Sequence, residues 1–511
     1  MILLVHKHNK LLNATDLNSG KSLNICQKTI IKSMFEVAKL HPETQLIWCD
    51  YRLTEVLSVS AIKSRFHLKN LMFSYGPSPY FSEHIGYIED SPFLKVNPEV
   101  VYPTWFMSSA VGGIYGSNLL KFESVINENH SFDFNLNTIA KSGMKQGLFC
   151  YSVPDLIQLP WPEHYALPKA SISELFRFVK MHYKTRWSAL LLFNMAIYEN
   201  RIPFLAFIKS IFYKKVNFTE KIVLEALVDS DKLSPFSLDI IIPTIGRKTF
   251  VYDALCDLRQ QTYLPKKVVI VEQNPDIESE SELDFLLTEA WPFEVKHIFT
   301  HKTGACYSRN LALKEVTSEW VFLADDDNRF TSDLLDTIKE TINKFQLKGI
   351  TFSYLQKNEI ESQKLPIQWH TFGAGSSVIS SQYLKNVKFN EALEFGYGED
   401  VDFGMQLRNQ GVDIIYMPQI KVLHLKAPIG GFRMKFEHPW ENDNVKPKPS
   451  PTVMLNRILN TTRQQILGYK TTLFFKYYKQ QHIKNPFKYY LNFKKEWNRS
   501  EYWAKQLKTK A

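Results

Sequence analysis

Three consecutive acids, Asp325, Asp326 and Asp327, follow directly on the apolar run Trp320-Val321-Phe322-Leu323-Ala324. Adjacent carboxylates repel one another, so the run is costly unless a cation sits between its members. A hard divalent ion, Mg or Mn, bridging these oxygens to a diphosphate is the simplest chemistry that uses them. The competing reading is a solvated acidic turn leading into the next helix, capped through Thr331 or Ser332. Another acidic pair, Glu399-Asp400, stands ahead of Phe403, Met405 and Leu407, and acids at a helix N-terminus complement the helix dipole.

The elements that must position these groups follow from hydrophobic patterning. Ile240-Ile241-Ile242 is a β-branched run that reads as a strand buried on both faces; a helical pattern follows through Tyr252, Leu255 and Leu258, then a second buried strand from Val268 to Val271. Strand, helix, strand implies a parallel α/β unit. The pattern continues with a strand from Val295 to Phe299, a helix near Arg309 to Glu315, the strand Trp320 to Ala324, and a helix near Asp333 to Phe345. The three acids therefore fall at the carboxyl end of a strand, where open α/β sheets bind ligands.

Ile241-Ile242-Pro243-Thr244, Val269-Ile270-Val271-Glu272, Gly304 through Ser308-Arg309-Asn310, Leu323 to Asn328, and Gly398-Glu399-Asp400 stand in that order along the chain. This series resembles the motifs of family 2 glycosyltransferases of the GT-A fold, over roughly Ser237 to Pro439. The resemblance implies a nucleotide-sugar donor, usually a UDP-sugar, and a divalent metal. It implies that Pro243, Thr244 and Glu272 border the nucleotide, with Glu272 where the family more often has Asp, and that Gly304 and Arg309 lie near the donor. Asp326 would face the ribose or the metal, Asp327 would ligate the metal, and Asp325 is an extra acid. Asp400, beside Glu399, would be the base that deprotonates the acceptor hydroxyl. His424 looks like the histidine that adds a metal ligand in some related enzymes, although a lone strand histidine is more often structural. The loop Phe372 to Ser377, with Gly375, resembles the small-residue loop between donor and acceptor; Trp369 and His370 before it either meet a sugar or pack in the core.

The first half carries an internal repeat. Leu46 to Thr54 parallels Val321 to Ala324 with Asp327 to Thr331, which matches Asp50 to Asp327. Trp105 to Ala110 with Gly112-Gly113 parallels the Gly375 loop, and Phe132-Asp133-Phe134 parallels Val401-Asp402-Phe403. On this alignment Cys49 replaces Asp326, His130 replaces Glu399 and Ser131 replaces Asp400, so the copy has lost its chemistry. The shorter spacing from the first strand to Asp50 also implies that part of the nucleotide-binding half is missing. Residues 1–160 are expected to form a degenerate GT-A-like domain that binds acceptor glycan or serves as a dimer surface; an unrelated α/β domain is the alternative.

With 511 residues the chain must hold more than one domain. The expected division is 1–160, a helical linker region 161–234, a catalytic GT-A domain 235–445 and a C-terminal tail 446–511, with the break placed at the polar, proline-containing stretch Asp229 to Pro235. The linker helices open at a capping box, Ser171 to Glu174, and their longest uncharged stretch, Trp187 to Tyr198, is short of the ~20 residues a membrane span needs. Lys180, Lys184, Arg186, Lys209, Lys214 and Lys215 flank apolar residues there, a mixture that suits an interfacial helix or, by preference, ordinary packing.

Lys and Arg total 62 against 52 Asp and Glu, and from Pro451 onward there are 13 basic and two acidic residues. Basicity thus belongs to the tail, whose interleaved aromatics and lysines suit a peripheral contact with an anionic membrane surface; nucleic acid is the less favoured partner of the same segment. Scattered cysteines and the lack of a signal-peptide pattern after Met1 point to a cytoplasmic protein. The combined expectation is a metal-dependent, inverting transferase acting on a glycan or lipid-linked acceptor in surface polysaccharide synthesis. The rivals are a nucleotidyltransferase of similar fold and a non-catalytic glycan-binding protein.

Overall fold

The apolar runs become the strands of two sheets in the computed structural model, which describes residues 1–158, 160–163, 165–227, 236–426 and 436–509. The chain divides into two compact units: Met1–Asp229 with Thr462–Leu473, and Ser230–Thr461 with Phe474–Ala511. The expected break at Asp229 to Pro235 lies outside the described residues. Segment 161–234 is not a separate linker, because its helices Ile172–His182, Arg186–Glu199 and Phe204–Ile211 belong to the first unit. Leu175, Phe176, Phe178 and Val179 are fully buried in that unit's core. The first of these helices does open at the expected capping box: Glu174 N donates to Ser171 Oγ at 3.2 Å, and Ser171 N to Glu174 Oε2 at 2.9 Å.

Strands β1 (Ile2–Lys7), β2 (Lys10–Asp16), β3 (Gln45–Asp50), β4 (Leu71–Tyr75), β5 (Tyr102–Pro103), β6 (Val111–Tyr115) and β7 (Phe149–Ser152) form the first sheet, in the order β2-β1-β3-β6-β4-β7-β5. The second sheet contains β8 (Leu238–Ile245), β9 (Lys267–Gln273), β10 (Glu294–Thr300), β11 (Trp320–Ala324), β12 (Asn328–Arg329), β13 (Gly349–Leu355), β14 (Ile367–Gln368), β15 (Ser376–Ser380) and β16 (Ile415–His424). It runs β10-β9-β8-β11-β15-β13-β16-β12, with β14 paired to β16. Val268 to Val271 and Ile240 to Ile242 are wholly buried, as a parallel sheet covered on both faces requires.

The two sheets share one topology. β1 runs parallel to β3, which is antiparallel to β6, then β4, with β7 parallel to β4 and β5 antiparallel to β7. β8, β11, β15, β13, β16 and β14 repeat this order and these senses. The first half therefore repeats the sheet of the second half. Its missing part is also visible: where β8 pairs with parallel β9, β1 pairs with the antiparallel hairpin strand β2.

The registers correct the sequence alignment of the repeat. Cys49 pairs with Val111 and Ala324 with Ser376 at the same corner of each sheet, so Asp50 corresponds to Asp325 rather than Asp327. Ser131 and Gly398 both stand just ahead of their helices, which makes Asp133, not Ser131, the counterpart of Asp400. Their contacts agree, since Ser109 N donates to Asp133 Oδ1 and Ala374 N donates to Asp400 Oδ2. An apolar strand can slide along a similar one without changing its pattern, and only the ladder partner fixes the register.

The C-terminal tail is helical, with Pro451–Asn460, Arg463–Tyr478 and Pro486–Lys508. Tyr489, Phe493 and Trp497 are buried, and Tyr489 donates to the Phe474 carbonyl at 2.7 Å. These rings pack within the second unit and are not presented to a headgroup layer, whereas Phe487 and Tyr490 are exposed.

Candidate active site

The carboxyl ends of β8, β9 and β11 and the helices that follow enclose a cleft of about 400 Å³ in the second unit. Pro243, Thr244, Gly304, Arg309, Asp326, Asp327, Glu399 and His424 all line it. Asp325, at the end of β11, is held by Arg309 Nη2 at 2.8 Å and by the Tyr354 hydroxyl at 3.2 Å. Asp326 accepts from Thr244 Oγ1 at 2.7 Å and is ion-paired with Arg247. The same guanidinium nitrogen lies 3.1 Å from Asp327 Oδ2, and His424 Nε2 lies 3.6 Å from that oxygen. The antiparallel pairing of β12 with β16 brings His424 there, opposite Asn328, and the Tyr354 ring stacks on it at 4.4 Å.

Burial decides the electrostatics. It pushes the Asp326 carboxyl up to about 7 against the pull of Arg247 and Thr244, with Asp327 and Asp325 adding to the rise. It also pushes Asp400 up to about 7, opposed by Arg309 and reinforced by Glu399. Asp400 Oδ2 accepts from Ala374 N at 3.3 Å, while its Oδ1 is shut from solvent with no hydrogen-bond partner among the described residues. A buried carboxylate oxygen without a donor is a costly arrangement and marks a place where a proton is expected. Arg309, though desolvated, is kept charged by Asp325 and Asp400.

Two predicted residues act differently from the expectation. Glu272 is turned away from the cleft toward His297 Nε2 at 2.9 Å, Ser281 Oγ at 2.5 Å and Glu282 N at 3.0 Å. Its neighbour Gln273 lines the cleft instead and accepts from Gly304 N at 2.7 Å. Gly375 supports the site from behind: a Cβ there would meet Asp325 Oδ2 at 2.2 Å, and its carbonyl accepts from Asn328 Nδ2 at 2.7 Å. Trp369 stacks on Tyr416 at 4.6 Å and is half-buried.

Sequence reasoning missed Arg247, Tyr354, Gln273 and Glu394. Glu394 receives the amides of Cys306 and Tyr307 at 3.0 and 2.9 Å, at the start of the helix Ala305–Lys314. Arg247 had a signal, as the cation in the loop after β8, and Gln273 adjoins the predicted Glu272 at the end of β9, but Tyr354 and Glu394 are brought in by tertiary contacts alone.

The donor set suits a divalent ion. Asp327 Oδ2 and His424 Nε2 are close enough to ligate one ion together, and Asp327 and Asp326 already share one positive charge on Arg247. Among the described residues no three acidic, histidine or cysteine groups close on one point, so the remaining ligands would be diphosphate oxygens and water.

In the first unit the corresponding carboxylates are fully engaged. Asp133 takes Ser109 N at 2.9 Å and Ser109 Oγ at 2.8 Å. Asp50 holds Arg52 through two bonds of 2.9 and 2.8 Å, with the guanidinium over the Tyr165 ring.

Residues 239–397 match the family described as "Glycosyl transferase family 2", and this matched segment is a glycosyltransferase domain of that family. The chain is 22% identical over 187 residues to the Campylobacter jejuni GalNAc(5)-diNAcBac-PP-undecaprenol beta-1,3-glucosyltransferase; the match covers 33% of this chain and 59% of that protein. Solved structures that overlap it include S. aureus TarS, at 17% identity and a TM-score of 0.33 over 46% of this chain and 42% of that one. The mannosyltransferase PcManGT from Pyrobaculum calidifontis overlaps at 16% identity and a TM-score of 0.29, over 40% and 60% respectively.

Proposed function

We propose that the protein transfers a sugar from a nucleotide-sugar, a UDP-sugar in the first instance, to a hydroxyl of a glycan or lipid-linked acceptor in surface polysaccharide synthesis. The observation that carries this reading is Asp400, a carboxyl held near neutrality with a donor-less Oδ1 beside the Gly375 loop. Such a group takes up the proton of an acceptor hydroxyl as that oxygen attacks the anomeric carbon, and attack opposite the leaving diphosphate inverts the configuration. Asp327 and His424 would hold the divalent ion, Mn or Mg, which supplies charge neutralisation at the departing diphosphate. Arg247 offers a second positive charge at that end of the cleft, and Thr244 orients Asp326. The acceptor half of the proposal follows the undecaprenol-linked substrate named for the Campylobacter relative. A cytoplasmic protein that meets the membrane peripherally fits such an acceptor.

The test is product analysis with a panel of nucleotide-sugars in the presence of Mn or Mg. Release of nucleoside diphosphate that requires Asp400 supports the reading. Release of pyrophosphate from a nucleoside triphosphate and a sugar 1-phosphate, with no transfer from the nucleotide-sugars, would establish a nucleotidyltransferase instead, and binding without turnover a glycan-binding protein.

A further inference from the structure

The helix Phe204–Ile211 faces the wrong way for a soluble protein. Its small residues Ala206 and Ser210 are buried, and Phe207 packs edge-on against Phe176. Its large apolar residues point outward: Phe204, Leu205, Ile208 and Ile211 lie on one helical face, with Ile202 before it and Phe212 after it. Exposure runs from 36% at Ile208 to 82% at Phe212. Single exposed apolar residues are ordinary, but a contiguous apolar helix face is the mark of a docking surface.

The charges around this face select its occupant. From Asn200 to Thr219 there are four basic residues, Arg201, Lys209, Lys214 and Lys215, all exposed, and no acid. Tyr213 between them is fixed under Arg177 at 4.6 Å. A helix with outward phenylalanines and leucine, whose own segment carries only cations, is complementary to a bilayer whose headgroups are negative and whose interior is apolar. The nearest carboxylates in the sequence are Glu199, engaged by His84 and Tyr87, and Glu220, beyond the basic stretch.

We propose that this helix and its flanks, residues 202–215, form an in-plane docking surface for an anionic lipid bilayer. It does not depend on the proposed transferase activity. The C-terminal tail is secondary to it, because Tyr489, Phe493 and Trp497 of the tail are buried.

The test is flotation of the full chain with vesicles of phosphatidylcholine and phosphatidylglycerol in equal parts, and with phosphatidylcholine alone. L205S/F212S should lower partitioning to the anionic vesicles at least ~10-fold, given the apolar area removed. K209Q/K214Q/K215Q should lower it about fivefold for each lysine and abolish the preference for the anionic vesicles. F487S/Y490S, in the tail, should leave it within about twofold. These residues are exposed, and unchanged circular dichroism and melting confirm the fold of each variant. Binding that survives the helix substitutions, or is lost only with the tail pair, overturns the proposal. So does a full chain that binds no vesicles, or one that self-associates through this face in size-exclusion chromatography and loses that association in L205S/F212S.

Discussion

Asp400→Asn should stabilise the protein while removing its transferase activity, and the stabilisation should depend on pH. Burial raises the Asp400 carboxyl from 3.8 to about 7. Because the folded state holds the proton more tightly than the unfolded chain, the native state loses stability as pH climbs from about 4 to about 7 and remains at the lower level above that. The full rise corresponds to ~4 kcal/mol between the two protonation states. Asparagine is neutral throughout, preserves an acceptor for the Ala374 amide, and carries no such penalty. The variant and the parent should therefore melt together near pH 4 and separate by up to ~4 kcal/mol at pH 8, which is about 8–16 °C at roughly 2–4 °C per kcal/mol for a domain of a couple of hundred residues. Thermal unfolding of the full chain without divalent ions, followed by near-UV circular dichroism at the two pH values, measures this. A variant no more stable than the parent at pH 8, or a gap of equal size at both pH values, would show that the carboxyl is not held protonated by its surroundings.

Turnover should rise as pH increases through about 7 and level off above it, because a base acts only when ionised; a rate that falls over that range contradicts the assignment. Asp327→Ala and His424→Ala should each abolish the stabilisation that Mn gives to the nucleotide-bound protein, read by thermal shift, whereas Asp400→Asn should retain it. Gly375→Ala should cost ~10²-fold or more in turnover, since its Cβ would displace Asp325 and with it Arg309; near-parental kinetics would remove Asp325 from the site. Asp133→Asn and Asp50→Asn in the first unit should leave turnover within about twofold, and a hundredfold loss in either would make that unit catalytic.

The sequence by itself determined what kind of site this is. The runs that become β8, β9 and β11 are apolar enough to be buried on both faces, and a buried parallel strand can place its polar groups only at its ends. Thr244, Asp326 and Asp327 could therefore be located before any coordinates, and Arg309 and Glu399-Asp400 by the order of the motifs. Register and side-chain direction were beyond it. Glu272 and Gln273 are neighbours on β9 whose side chains alternate, and only the packing against His297 shows which one faces the cleft. Asp50 was matched to the wrong acid because an apolar run has no internal landmark, until Cys49 is seen paired with Val111. Tyr354 and Glu394 reach the site from elsewhere in the sequence, across 29 residues to Asp325 and 88 to Cys306. The outward face of the helix at 204–211 was left open for the same reason: its mixture of apolar residues and lysine suits either an interface or packing, and only its neighbours decide which side is covered.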